Sequence, residues 1–372
     1  MKIQNNCRNN WKRDKCIAII DICRKALFLQ AEEINWDAHV WYMERFHFLP
    51  GWIDPSNPVM TLSFLEVSHE QNRILLKKYM RYSLGITDLS IRALSAEMIY
   101  VKNFLVAFPR GNICDITSEQ IDKYFRKQQE RKIQASTFNK IIMSVLHFFR
   151  FLQVRNYIQR VPFCEDYYLK KVIPQHNDRS VEEQVASEIL DKLYKFPEEV
   201  RIMYLHLWSI GLRVSEVCTL KGNAYYIQGR DFWIQIYQIK MKTYKRIPIP
   251  EALYKLMKVY MEKHQIGSDD YVFQNQRGGA YSSGTFRNHM LNYCADNNIQ
   301  NGEYMLKSHD YRHSIATLFY DNEVSLQSVR DYLGHAHEEM TRQYIDYMPI
   351  KLAEANDDYF SNHKSLAANL MK

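Results

Sequence analysis

The chain has 372 residues, which is long enough for two or three domains that each bury a core and excludes a peptide hormone or a disulfide-stapled miniprotein. Its 46% hydrophobic and 24% charged residues exclude an intrinsically disordered protein. The formal net charge of +7 is unevenly spread, because residues 75–175 hold 17 basic and 8 acidic side chains and so carry +9. This excess favours a polyanionic partner, and a solvated helical surface is the alternative.

The cysteines and the N-terminal hydropathy indicate the compartment. Seven cysteines are widely spaced and include no Cys-x-x-Cys pair, which favours reduced thiols and argues against a zinc site. The longest apolar run near the start, residues 16–23, is eight residues long and contains Asp21. It predicts neither a signal peptide nor a membrane span. A cytoplasmic protein is therefore expected.

The first half of the chain reads as an extension followed by a helical domain. Residues 1–72 hold four of the six tryptophans, with one helix predicted at about 14–33, and we treat them as an N-terminal extension of unknown role. Within 73–171, Ser90 is a candidate N-cap for a helix to about residue 108, and Thr117 or Ser118 caps a second. Apolar residues at helical spacing predict a third over 136–158.

A polar stretch with a proline, residues 172–182, is predicted to be a linker. The following domain, residues 183–350, is mostly helical, with helices at about 251–263, at 283–297 and from 310 onward. Residues 231–250 interrupt this pattern, because they alternate β-branched or aromatic residues with polar ones around a basic turn, and they predict a β-hairpin.

One arginine and a group of three lysines in this domain are candidates for chemistry. Arg213 follows an apolar helix in the segment GLRVSE, so it needs a carboxylate or phosphate partner; a salt bridge to Glu216 would be a purely structural role. Lys240, Lys242 and Lys245 crowd the hairpin turn, where their ammonium groups either reach an anion or stay exposed to solvent.

Two further segments add histidines, an arginine and a tyrosine. His309 and Arg312 are three residues apart and share one helical face. Leu333-Gly-His335 ends a helix, with the glycine as its C-cap, and Tyr344 follows nine residues later on the next short helix. Each segment alone fits a structural role. Together, two arginines, a lysine, two histidines and a tyrosine suit phosphodiester transesterification without a metal.

In these residues the sequence resembles the tyrosine recombinases, the integrase family of phages, transposons and Xer-like resolution systems. The resemblance rests on the order and spacing of GLRVSE at 211–216, a Lys-Thr pair at 242–243, His309-Asp-Tyr-Arg312, LGH at 333–335 and Tyr344. It extends over about residues 73–350, although many relatives place a glycine beside the hairpin lysine where this chain has Met241 and Thr243.

The resemblance implies a role for each matching residue. The tyrosine attacks the scissile phosphate and forms a 3′-phosphotyrosyl intermediate, the arginines clamp the phosphate, and the lysine protonates the departing 5′-oxygen. The first histidine assists proton transfer, the second donates a hydrogen bond to a non-bridging oxygen, and Glu216 orients its neighbours. Lys240 stays open as an alternative to Lys242. The implied catalytic set is Arg213, Lys242, His309, Arg312, His335 and Tyr344.

The implied fold is mainly α with a small antiparallel β-sheet. A helical core-binding (SAM-like) domain at 73–171 and a mixed α/β catalytic domain at 183–350 form a C-shaped clamp around double-stranded DNA. The family acts as a homo-tetramer without cofactor or metal, and the tail 351–372 is expected to contact a neighbouring protomer. The resemblance leaves open integration, excision or resolution, and whether an accessory DNA-bending protein takes part. A type IB topoisomerase and a non-catalytic DNA-binding protein are the alternative functions.

Overall fold

The computed structural model describes residues 2–49, 51–173, 180–335, 337 and 341. The chain divides into two compact units. The first comprises residues 1–53 and 58–174, and the second comprises residues 54–57 and 175–372. Most of the linker predicted at 172–182, the tail 351–372 and Tyr344 lie outside the described residues. The described elements are helices with two small antiparallel sheets, which confirms the predicted fold class.

Among its described residues, the first unit contains five α-helices and a two-stranded sheet: α1 (Lys2–Gln30), β1 (Val40–Tyr42), β2 (Thr61–Ser63), α2 (Glu70–Ile86), α3 (Ile91–Val106), α4 (Ser118–Glu130) and α5 (Ala135–Val154). The N-cap predicted at Ser90 is confirmed, and of the two candidates Thr117 and Ser118 the structure selects Thr117. The Ser90 hydroxyl accepts the backbone N–H of Ala93, and Thr117 forms a capping box with Gln120 at the start of α4. Helix α1 begins earlier than predicted. Its start was missed because the first two turns are polar in sequence and show no apolar stripe.

One aromatic core runs through the first unit. Trp41 on β1 packs edge-on against Phe64, with ring centroids 4.7 Å apart, and Phe104 on α3 packs against Phe149 on α5 at 5.8 Å. All four side chains are fully buried in one continuous cluster that extends from Phe28 to residue 152. The boundary predicted at 72/73 therefore falls inside a compact unit that holds both the N-terminal residues and the helical domain.

The second unit contains seven helices and a three-stranded sheet within the described ranges: α6 (Glu183–Lys192), α7 (Glu198–Ile210), α8 (Val214–Cys218), β3 (Tyr225–Gln228), β4 (Asp231–Gln238), β5 (Thr243–Pro248), α9 (Glu251–Lys263), α10 (Ser283–Asp296), α11 (Ser308–Asp321) and α12 (Leu326–Leu333). The predicted hairpin is confirmed as β4 and β5. Strand β3, which pairs with β4, was not predicted, because four residues are too few to show an alternating pattern.

Helix α7 lies at the centre of the second unit. Its residues Met203 and Leu207 are fully buried, as are Ile234 of β4 and Ile247 of β5 in the same cluster. His206 of α7 is also fully buried, and its Nε2 lies 2.7 Å from the hydroxyl of Tyr225 on β3. This bond joins the helix to the sheet inside an apolar core. Among the described residues, no helix is both long and apolar enough to cross a membrane.

The shared aromatic core predicts that the N-terminal residues stabilise the helical domain. Phe64→Ala should destabilise the first unit by about 3–5 kcal/mol, because the buried ring is replaced by a cavity. The measurement is chemical denaturation followed by circular dichroism. Leu65→Ala, at an exposed neighbouring position, is the matched control and should change stability by about 0.5 kcal/mol or less. Equal effects of the two substitutions would contradict the shared core.

Candidate active site

Arg213 reaches the site because α7 ends abruptly. Gly211 has a φ of +63°, and a Cβ there would lie 3.2 Å from the Cβ of Ile315, so glycine suits both the turn and the close approach to α11. Two residues later the backbone N–H of Arg213 donates to Oε2 of Glu216 at 2.9 Å, and its Nη1 donates to Oε1 at 2.7 Å. The salt bridge considered from the sequence is therefore present, and it orients the guanidinium of a side chain that is still 22% exposed.

Arg312 on α11 is held by two helix ends. Its Nη1 donates to the carbonyl oxygen of Gly211 at 3.1 Å, and its Nη2 donates to the carbonyl oxygen of Leu333 at the end of α12. Only 1% of the residue is exposed. Because the carbonyls at a helix C-terminus lack intrahelical partners, the guanidinium satisfies them and links the segments that carry Arg213 and His335.

Glu216 is the buried negative charge of this cluster. It is 3% exposed, and Nζ of Lys245 lies 3.4 Å from its Oε2. Burial by itself would raise the pKa of Glu216, but the positive charges of Lys245, Arg213 and Arg312 outweigh it and lower the pKa to about 2. Burial lowers the pKa of Lys245 to about 8, against the opposing effect of the carboxylate.

His335 lies among these cations. Burial, followed by the positive charges of Arg312, Arg213, His309 and Lys245, lowers its pKa to about 3, so the imidazole is neutral at neutral pH. Its Nδ1 lies 3.1 Å from the hydroxyl oxygen of Thr341. When Nδ1 accepts from this hydroxyl, the ring carries its proton on Nε2 and can donate a hydrogen bond to an anion.

An open pocket of about 430 Å³ exposes part of this cluster. Its basic lining residues are Arg213, Arg287, His309 and Arg312, and the hydroxyl residues Ser215 and Ser308 lie among them. Arg287, on α10, was not singled out from the sequence, since one arginine on a polar helix face gives no signal of its own. Such a pocket can hold a phosphate group, because guanidinium groups bind its oxygens in a bidentate manner.

The three hairpin lysines occupy two different environments. Lys242 has a φ of +52° in the turn between β4 and β5, and both it and Lys240 are exposed. Lys245 faces inward with the cluster, although the sequence analysis did not separate it from the basic turn. The sequence does indicate that Lys245 faces inward, because residues two apart in a strand point to the same side and Ile247 and Ile249 are buried. Tyr344 lies outside the described residues.

The site lies within a segment that matches a known family. Residues 179–349 match the model of the phage integrase family. The chain is 27% identical over 324 residues to transposase B from transposon Tn554 of Staphylococcus aureus, which covers 83% of this chain and 51% of that protein. It is 23% identical over 316 residues to a tyrosine recombinase of Agathobacter rectalis, which covers 77% of this chain and 95% of that protein. The chain thus spans about half the length of the transposase.

The fold of this chain is also similar to that of a solved structure. A XerH site-specific recombinase bound to palindromic difH substrate, in a post-cleavage complex, aligns with a TM-score of 0.58 at 17% identity. The alignment covers 79% of this chain and 90% of that one.

The buried carboxylate predicts a pH-dependent contribution to stability. Glu216→Gln should destabilise the second unit by about 3 kcal/mol at pH 7, because it leaves buried cations without their counter-charge. The folded pKa of about 2 lies below the usual value of 4.5, so the contribution is present above pH 4.5 and is lost as the pH falls towards 2. Melting temperatures should therefore differ between variant and wild type at pH 7 and converge near pH 2.5.

The matched control is Glu262→Gln, which removes an exposed carboxylate from α9 and should leave the melting temperature unchanged. A difference between Glu216→Gln and wild type that stayed constant from pH 7 to pH 2.5 would contradict an electrostatic role for Glu216.

Proposed function

We propose that the chain belongs to the tyrosine recombinase family and is a site-specific recombinase that cleaves and rejoins DNA strands through a 3′-phosphotyrosyl intermediate at Tyr344. The observation that carries the proposal is the convergence of Arg213, His309 and Arg312 at one open pocket, with His335 two residues beyond the carbonyl group that binds Arg312. Integration or excision of a mobile element is the proposed context, on the strength of the similarity to a transposon transposase.

The two arginines would bind the non-bridging oxygens of the scissile phosphate. Glu216 holds the guanidinium of Arg213, and helix-end carbonyls hold that of Arg312, so neither group needs to reorganise when negative charge develops. The neutral imidazole of His335 would donate a further hydrogen bond from Nε2 to a non-bridging oxygen. Because its pKa is low, it would not take up the proton released in the reaction.

The proposed covalent step needs neither a metal nor ATP. The phenol oxygen of Tyr344 forms a bond to phosphorus and its proton passes to a base, for which His309 is proposed, while the bond to the 5′-oxygen breaks. Lys242 of the turn protonates that oxygen as it leaves. The covalent intermediate retains the energy of the phosphodiester, so a 5′-hydroxyl can attack it to rejoin the strand.

The remaining partners follow from the same proposal. The excess of nine positive charges over residues 75–175 would contact phosphates of duplex DNA, which gives affinity but little sequence discrimination. We expect the clamp and the homo-tetramer that the family forms. A type IB topoisomerase would use the same chemistry to relax supercoils as a monomer, and a strand-exchange assay separates the two.

The first prediction concerns the nucleophile. Wild type incubated in EDTA with a nicked suicide duplex that carries the element's end sequence should form a covalent adduct that migrates slowly on a denaturing gel. Tyr344→Phe should form none, because it lacks the attacking oxygen, while Tyr347→Phe is the matched control and should react normally. An adduct that survived in Tyr344→Phe would identify a different nucleophile. No adduct from any variant that binds the DNA would support a non-catalytic DNA-binding protein.

The second prediction concerns the general acid. Lys242→Met should slow cleavage of this duplex by about 10²–10⁴-fold, since the 5′-oxygen then leaves without a proton. A bridging 5′-phosphorothiolate should restore the rate, because a thiolate leaves unprotonated.

Lys240→Met and Lys245→Met are the comparisons on the two substrates. If the 5′-phosphorothiolate duplex restored the cleavage rate of one of these variants, and not that of Lys242→Met, the lysine replaced in that variant would be the general acid. Single-turnover rates and gel-shift affinities are the measurements.

A further inference from the structure

We infer that Gln238 is a positioning residue for strand cleavage, which ties the base of the lysine-bearing turn both to Glu216 and to the segment that carries His335. The inference rests on the proposed function. The sequence did not single out Gln238 as a candidate catalytic residue. Its role emerges from two hydrogen bonds made by one buried side chain and from its place at the end of a strand.

Gln238 occupies the last position of β4 before the turn. It pairs with Thr243, the first residue of β5, so these two residues close the base of the loop that contains Lys240 and Lys242. Only 3% of Gln238 is exposed, and its side chain points into the unit while the turn lysines are exposed. The orientation of the turn therefore depends on how this end of the hairpin is held.

The amide of Gln238 bridges two other segments. Its Nε2 donates to Oε1 of Glu216 at 3.2 Å, the same oxygen that accepts from Arg213. It also approaches the carbonyl oxygen of Gly334 at 3.4 Å, one residue before His335. One side chain thus joins the hairpin, α8 and the end of α12, which supply a lysine, an arginine and a histidine to the proposed reaction.

Gly334 is shaped to receive this amide. A Cβ at position 334 would lie 2.3 Å from Nε2 and 2.5 Å from Oε1 of Gln238, so a side chain there would displace the amide from its present position. The φ of +65° at Gly334 independently favours glycine. The amide therefore fits into a space that exists because residue 334 lacks a side chain, which is the arrangement expected for a specific contact between the turn and the His335 segment.

The test is single-turnover cleavage by Gln238→Met, which keeps the length of the side chain and removes its hydrogen bonds. Gln235→Met is the matched control, because Gln235 lies on the same strand as Gln238 and the substitution removes only a hydrogen bond that its Oε1 accepts from Nε of Arg246 on β5. On the ordinary duplex, Gln238→Met should cleave about 10- to 100-fold more slowly than wild type, the cost of misplacing a catalytic group by about 1 Å. On the 5′-phosphorothiolate duplex it should cleave within about twofold of wild type, because that leaving group needs no lysine.

Three results would overturn the inference. A rate for Gln238→Met within twofold of wild type on the ordinary duplex shows that the contact has no catalytic consequence. An equal loss on both duplexes, with unchanged DNA affinity, shows a structural role without any effect through the lysine. If wild type forms no adduct on either duplex, the proposed function fails and the inference fails with it. Gln238→Asn, which keeps the amide but shortens its reach, provides the same comparison if the methionine variant does not fold.

Discussion

The candidate site depends on one buried carboxylate. Glu216 accepts from the backbone and the guanidinium of Arg213, from the amide of Gln238, and lies in ion-pair contact with Lys245. Removing a carboxylate from water is costly, and this arrangement offsets the cost with several donors and with cations on more than one side. The result is a cluster in which the positive groups keep defined positions while part of Arg213 faces an open pocket.

Two helix ends provide the second constraint. Helices α7 and α12 both end in a glycine with positive φ, Gly211 and Gly334, so each chain segment turns sharply and leaves carbonyl groups pointing away from its helix. Arg312 donates to a carbonyl oxygen at each end. The partial negative charge of the two C-termini thus favours a buried guanidinium at this place, and the same turns deliver Arg213 and His335 beside it.

The first unit is organised by aromatic packing. Trp41 and Phe64, from the residues that precede the helical domain, belong to the same core as Phe104 and Phe149. The N-terminal residues thereby form part of the body of the basic unit, whose charge is the proposed source of affinity for DNA. The chain accordingly concentrates its candidate chemistry in the second unit, within the residues that the structure describes, and its excess positive charge in the first.

The sequence by itself determined the features that depend on neighbouring residues. The cap at Ser90, a second cap at Thr117 or Ser118, the glycine end at 334 and the β4–β5 hairpin follow from local hydrogen bonding and side-chain alternation. The spacing of the motifs gave the family resemblance. Only the tertiary structure decided that Lys245 faces the cluster, that Gln238 joins three segments and that side chains between residues 28 and 67 share a core with the helices after them. These features arise from contacts between residues far apart in the chain, such as Gln238 and Gly334. No local sequence pattern predicts them, because the two residues come into contact only when the chain folds.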